Sequence, residues 1–213
     1  MISVVINSAA LGPKSRALVS SGGKIYGERA TLLRDRILPA SAEADEVIVV
    51  GEFESGPGYI YVPSPSQAFD CTDALHQRQA GFVASRGEIL VFQHDDHCAD
   101  PAFFETLRRY ASDTSWDVLV PDRHTMDGKR LDTGAHGSPG VDESYVMGHA
   151  CVMRRAMVER APWSDVSKVI TWDVVHTRQL RSCGARIRWV DDLVMFNLET
   201  LGEYDVSKQA WAP

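Results

Sequence analysis

The chain has 213 residues, 44% of them hydrophobic and 24% charged, which suits one globular domain with a full core. Its net charge of -7 argues against nucleic acid as the main partner, because phosphate neutralisation needs a basic face; a nucleotide held through a metal remains compatible. No apolar run reaches membrane-spanning length, and Met1-Ile2-Ser3-Val4-Val5-Ile6 lacks both the basic region and the apolar length of a signal peptide, so a cytoplasmic protein is expected. The four cysteines, Cys71, Cys98, Cys151 and Cys183, are scattered without a Cys-x-x-Cys pair. They read as reduced thiols, and zinc is not expected.

Taken in chain order, Ser3 to Ile6 is a short β-branched run, hence a strand. Positions 9–27 are polar and Gly-rich and read as a loop. Within it Gly22-Gly23-Lys24 hints at a phosphate loop, but without Walker spacing a flexible loop is the better reading. Glu28 to Leu38 carries Leu32, Leu33, Ile37 and Leu38 at helical spacing and is expected to stop at Pro39. Glu46 to Val50 is a continuous apolar run, as in a strand covered on both faces, and Tyr59 to Val62 is a further strand.

Asp73 to Ser85 fits a helix with Leu75, Gln79, Phe82 and Val83 along one stripe. Ile89 to Phe92 is the next strand. Pro101 to Ala111 is a helix with Phe103, Phe104, Leu107 and Tyr110 inward, Asp100 its expected N-cap and Pro101 its first residue. Val118 to Val120 is another strand. The order βαββαβαβ predicts an α/β fold: an open, mixed, mostly parallel sheet with helices on both faces.

From Asp122 to Ser144 the pattern fails, with Gly128, Gly134, Gly137, Pro139 and Gly140 and few apolar residues; a loop of that length suggests a lid, a binding loop or a disordered segment. Tyr145 to Met153 resumes as a strand, followed by a helix near Arg155 to Ala161. Ser167 to Ser182 is a second helix with Gly184 as its stop, and Arg186 to Val190 and Leu193 to Phe196 are late strands. A single domain over 1–213 is expected, divided into 1–121, the flexible 122–144 and 145–213.

The stretch from Glu88 to Pro101 is the most informative. An apolar strand ends abruptly in His94-Asp95-Asp96-His97. Two adjacent carboxylates at the carboxyl end of a buried strand repel unless a positive group joins them, and a divalent cation on a phosphorylated ligand would do so. Open α/β sheets bind ligands beyond that end of their strands. His94 and His97 read as shaping the loop or bonding water rather than as ligands, and His176 as a surface residue.

Arg78-Gln79-Ala80-Gly81, Gly87-Glu88-Ile89, His94-Asp95-Asp96 and Pro101, in that order and spacing, resemble the core of family-2-like glycosyltransferases with the GT-A fold. The acidic motif resembles their His-Asp-Asp variant of the Asp-x-Asp pattern. Gly148, Arg154-Arg155, Trp172-Asp173, Arg178, Gly184 and Ile187 resemble the acceptor half. There are departures: Gln79 replaces an Asn, Gly51-Glu52 ends the second strand instead of Asp-Asp-Gly-Ser, and Met195-Phe196-Asn197 stands where many relatives have a metal-binding His.

The resemblance implies a metal-dependent glycosyltransferase that inverts the anomeric centre where a base lies opposite the leaving group, with retention as the alternative where none does. It implies Asp96 as ligand of a divalent cation, Mn2+ or Mg2+, bridging the donor diphosphate. Asp95 would meet the ribose or share the metal shell. Asn7, Ser8, Glu52 and Arg78 would line the nucleotide, and Asp173 would be the general base. The donor is expected to be a UDP-sugar, with GDP- or dTDP-sugars as alternatives, and the acceptor carries a hydroxyl; a homodimer is compatible. A non-catalytic nucleotide-sugar-binding module and a sugar nucleotidyltransferase are the rival readings. The second lacks the basic Gly-rich loop it would need after the first strand.

Overall fold

The computed structural model describes residues 1–8, 29–64, 71–125, 128–131, 146, 150–163 and 172–198. Among the described residues the strands are β1 (Ile2–Ser8), β2 (Glu46–Gly51), β3 (Ile60–Pro63), β4 (Ile89–His94), β5 (His97–Ala99), β6 (Val118–Thr125), β7 (Ala150–Arg154) and β8 (Ile187–Asn197). They form one sheet in the order β3-β2-β1-β4-β7-β6-β8-β5. The pairs β1–β2, β1–β4, β2–β3 and β6–β8 are parallel; β4–β7, β6–β7 and β5–β8 are antiparallel. The expected mixed, mostly parallel sheet is therefore present.

Strand alternation builds two cores. Ile2, Val4, Ile6, Val47, Val49, Ile89 and Val91 face one way, and Phe103, Phe104 and Leu107 of α4 (Phe103–Ala111) pack there. The same face receives α1 (Arg29–Leu32), a π-helical turn (Leu33–Ile37) and α2 (Leu38–Ser41) through Leu33 and Ile37. Val5, Ile48, Val50, Leu90 and Phe92 face the other way, towards α3 (Cys71–Ala84), α5 (Arg155–Arg160) and α6 (Trp172–Ser182). Strands covered on both sides need the unbroken apolar runs seen in β1, β2 and β4.

Several boundaries differ from expectation for local reasons. Pro39 does not stop the first helical segment. The ladder has already widened there, with Leu38 N–H donating to Leu33 O, and Pro39 falls in the first turn of α2, where its missing N–H costs little. Gln79 and Val83 of α3 face outward. The helix meets the sheet through Gly81, where a Cβ would stand 2.2 Å from Val5 Cγ1, so the neighbouring stripe of Leu75 and Arg78 is buried instead. Asp100 caps a turn rather than the helix: its carboxylate accepts Ala102 N–H at 2.8 Å, and α4 begins at Phe103 with Ala102 as N-cap.

The first part of the expected loop after Asp122 is strand. β6 continues to Thr125, and its register against β8 jumps between Pro121 and Asp122. That irregularity accommodates the proline and lets β8 run as one strand where two were expected, with Asp191 and Asp192 at the jump. The described part of the Tyr145–Met153 run places its strand at Ala150–Arg154, and α6 is described from Trp172. Gly184 ends α6 as expected, at φ 75°, with Ala185 N–H reaching back to Leu180 O. The Gly22-Gly23-Lys24 stretch and positions 132–144 of the expected lid lie outside the described residues. Among the described residues no helix is long and apolar enough to cross a membrane.

Candidate active site

The chain steps outward from β1 to β2 and β3, then returns to place β4 on the other side of β1. The reversal falls at the carboxyl ends of β1 and β4, the point where open α/β sheets accept ligands. Asn7 and Ser8 end β1, Gly51 ends β2, and His94 ends β4 just before Asp95 and Asp96.

These ends are knitted together. Asp95 N–H donates to Asn7 O at 3.1 Å, and Ser8 Oγ donates to Asp95 Oδ2 at 3.1 Å. Ser8 O accepts Glu52 N–H at 2.9 Å and Gln77 Nε2 at 3.3 Å. The close approach of β2 to β1 requires glycine at 51. Its φ is 125°, and a Cβ there would stand 1.9 Å from Ser8 O. Asn7, Ser8, Glu52 and Asp95 thus form one cluster, although they are separated widely in sequence.

Asn7 is buried, and its amide is oriented by Nδ2 donating to Ala74 O at 3.1 Å. That bond turns Oδ1 into a buried acceptor with no hydrogen-bond partner among the described residues. An acceptor left in this state costs free energy until a donor reaches it, which fits a residue that completes its bonding with ligand.

Asp95 and Asp96 occupy the turn from β4 into β5 and are only 2% and 7% exposed. Asp96 is held at both ends. Its carbonyl accepts Leu198 N–H at 2.8 Å, and its Oδ1 lies 2.5 Å from His97 Nδ1. Among the described residues no three His, Cys, Asp or Glu side chains gather into a metal-binding group. The donor set is hard, with two neighbouring carboxylates, and suits a Mg2+- or Mn2+-like ion that takes its remaining ligands from phosphate and water. The residues present fit a cation in that shared arrangement.

Arg78 has a different neighbourhood. It is 1% exposed, lies with its guanidinium 5.4 Å from the Phe92 ring centroid, and donates to Cys151 Sγ at 3.5 Å. His176, expected at the surface, is buried; its ring stands 5.6 Å from that of Trp163, which in turn packs edge-on against Phe92. Burial, with Arg78 adding repulsion against a bond to Ala161, pushes the His176 pKa down to about 4. Burial of an imidazole among aromatic rings has no signature in a single sequence.

Asp173 lies in the first turn of α6, where its Oδ1 accepts Val174 N–H at 2.9 Å. Since α6 leads through Gly184 into β8, which runs parallel to β6, its N-terminal turn stands at the carboxyl edge of the sheet. That chain direction would bring Asp173 towards the edge that carries Asp95 and Asp96.

Sequence reading missed a polar network at the end of β6. Asp122 accepts His124 Nε2 at 2.9 Å and Arg130 Nε at 3.0 Å, and Arg130 also reaches Asp191 at 2.9 Å. The alternation of Asp122 and His124 with Arg123 and Thr125 was the available signal, obscured by the proline before it.

No protein-family model and no curated protein matches the chain. Solved structures do match. The 1–349 piece of S. aureus TarS with UDP-GlcNAc superposes with a TM-score of 0.64 at 12% identity, over 99% of this chain and 61% of that one. The fold is GT-A.

Glucosyl-3-phosphoglycerate synthase from Mycobacterium tuberculosis, solved with Mn2+, UDP and phosphoglyceric acid, shares the GT-A fold with a TM-score of 0.56 at 16% identity. The match covers 97% of this chain and 72% of that one. The mannosyltransferase PcManGT from Pyrobaculum calidifontis, with GDP-Man and Mn2+, gives 0.58 at 14%, over 92% and 56%. At these identities the likeness is one of fold. The chain spans 36% of one TarS structure and about 60% of its 1–349 piece.

Proposed function

We propose that the protein is a metal-dependent glycosyltransferase that moves a sugar from a nucleotide donor to a hydroxyl acceptor with inversion. The observation that carries this reading is the cluster of Asn7, Ser8, Glu52 and Asp95 at the chain reversal, with Asp96 beside it. Donor complexes of GT-A neighbours, with UDP-GlcNAc, UDP or GDP-Man, support a nucleotide-sugar as ligand, and Mn2+ in two of them supports a divalent cation.

In this reading Asn7, Ser8 and Glu52 line the nucleoside, Arg78 supports the nucleotide side from within the protein, and Asp95 bonds the ribose. Asp96 would hold the cation, which when bound supplies Lewis-acid stabilisation of the departing diphosphate. The bond between the anomeric carbon and the phosphate oxygen breaks as the acceptor oxygen forms its own bond to that carbon. Asp173 takes the acceptor proton, and attack opposite the leaving group inverts the centre. A UDP-sugar is the first donor to test.

The test is a thermal-shift screen of UDP, GDP, dTDP, CMP and ADP, each with and without Mn2+, followed by transfer assays with the matching sugar nucleotide. A Mn2+-dependent rise in melting temperature with one nucleotide, absent in Asp96→Ala, is expected. No rise with any nucleotide would refute the reading.

A further inference from the structure

We propose that His97 is the positioning residue for Asp96, setting the direction in which that carboxylate meets a divalent cation. The proposal rests on the glycosyltransferase reading and adds to it a residue next to the acidic pair that reaches no ligand itself.

His97 is fully buried, which removes it from direct contact with a nucleotide at the carboxyl ends of β1 and β4. It opens β5, a strand of three residues whose antiparallel register on β8 sets His97 opposite Asn197. Gln93 Nε2 donates to His97 O at 3.5 Å. The backbone under the imidazole is therefore anchored to the sheet on both sides of the turn that carries Asp96.

From that anchored position Nδ1 lies 2.5 Å from Asp96 Oδ1. An ionised carboxylate can only accept, so in the cation-binding form of Asp96 the proton of this contact belongs to Nδ1. The same Asp96 has its carbonyl clamped by Leu198 N–H at 2.8 Å, so main chain and side chain are both fixed by residues at the β5–β8 end of the sheet. A carboxylate bonded through Oδ1 is restrained in its orientation, and with it the direction of Oδ2.

A flexible aspartate would have to be ordered each time a cation bound. A preset one spares that cost, and hydrogen bonds to ligating carboxylates from outside the ligand shell commonly change metal affinity about 10–100-fold. Interaction of this kind acts on metal affinity first and on turnover second, because the bond is the same before and during transfer.

The experiment measures Mn2+ binding to the protein loaded with UDP, or with GDP where the nucleotide screen selects it, from the loss of the free-Mn2+ electron paramagnetic resonance signal. His97→Ala is expected to weaken Mn2+ binding about 10–100-fold. His97→Asn, whose Nδ2 falls close to the position of the imidazole Nδ1, is expected to restore most of it, while His97→Gln, with its donor one bond further out, is not. In transfer assays His97→Ala should raise the Mn2+ concentration for half-maximal rate more than it lowers the rate at saturation.

Wild-type Mn2+ affinity in His97→Ala, alongside lost affinity in Asp96→Ala, would overturn the positioning role and leave the glycosyltransferase reading standing. Unchanged affinity in Asp96→Ala would overturn both. Should His97→Ala fold poorly, the Asn and Gln variants carry the test, since both fill the buried site; equal affinities for the two would refute the proposal.

Discussion

The two edges of the sheet are built to opposite specifications. At the amino edge, polar groups are saturated. Glu46 accepts Ser3 Oγ at 2.6 Å, Arg86 N–H at 2.8 Å and Arg86 Nε at 3.1 Å, and Ser3 in turn accepts Gly87 N–H at 2.8 Å. Arg154 stacks over Trp116 at 4.2 Å and donates to the carbonyls of Trp116 and Asp113, while Asp117 takes a bidentate Arg186 at 2.9 Å. At the carboxyl edge the buried polar atoms include Asn7 Oδ1, an acceptor that no described residue fills, and two adjacent carboxylates. One edge closes the ends of the strands. The other carries the polar groups assigned to the donor in the proposed reading.

The separation can be broken by a substitution at either edge. The largest effect is expected from Asp173→Asn at the carboxyl edge. Loss of a general base lowers turnover about 10²–10⁴-fold, with Mn2+-dependent nucleotide binding and melting temperature both retained. Transfer at the wild-type rate would remove Asp173 from the mechanism. At the amino edge, Glu46→Ala should do the reverse. Removing the shared acceptor leaves the buried Ser3 hydroxyl and the Arg86 amide without it, a loss of about 2–3 kcal/mol by denaturant unfolding. The nucleotide affinity of the folded protein should not change; a changed affinity would mean that the edges are coupled through β1 and β2.

How far each edge could be read from sequence follows the same division. The carboxyl ends of β1 and β4 were legible because apolar runs stop abruptly there, at Asn7-Ser8 and at His94-Asp95-Asp96. β5 was not, since three residues show no period and their pairing lies almost a hundred positions away on β8. The second half of β6 was hidden because Pro121 and Asp122 look like breakers when the strand is seen alone; its partner β8 absorbs them with a register jump. His97 looked like one more loop residue, as only the β5–β8 ladder reveals what buries it. The tight junction at Gly51 carried a glycine in the sequence, but which backbone it had to clear, Ser8 O, is a property of the assembled sheet.

His176, one turn along α6 from Asp173 and buried, offers the finest test. Burial first, then the positive charge of Arg78, hold its pKa at about 4, below its ordinary 6.5, despite the bond to Ala161. Between those values the unfolded chain binds a proton that the native protein does not. Stability therefore falls as pH drops through this window, by about 1.5 kcal/mol between pH 6.5 and 5. The lowered carboxyls of Glu46 and Asp117 do not interfere, since their ordinary values are 4.5 and 3.8 and their stabilisation is lost only at lower pH. Urea unfolding of wild type and His176→Gln across pH 7 to 5 should show the slope in wild type and a flatter line in the variant. Parallel slopes would assign the acid sensitivity to another group and detach α6 from it.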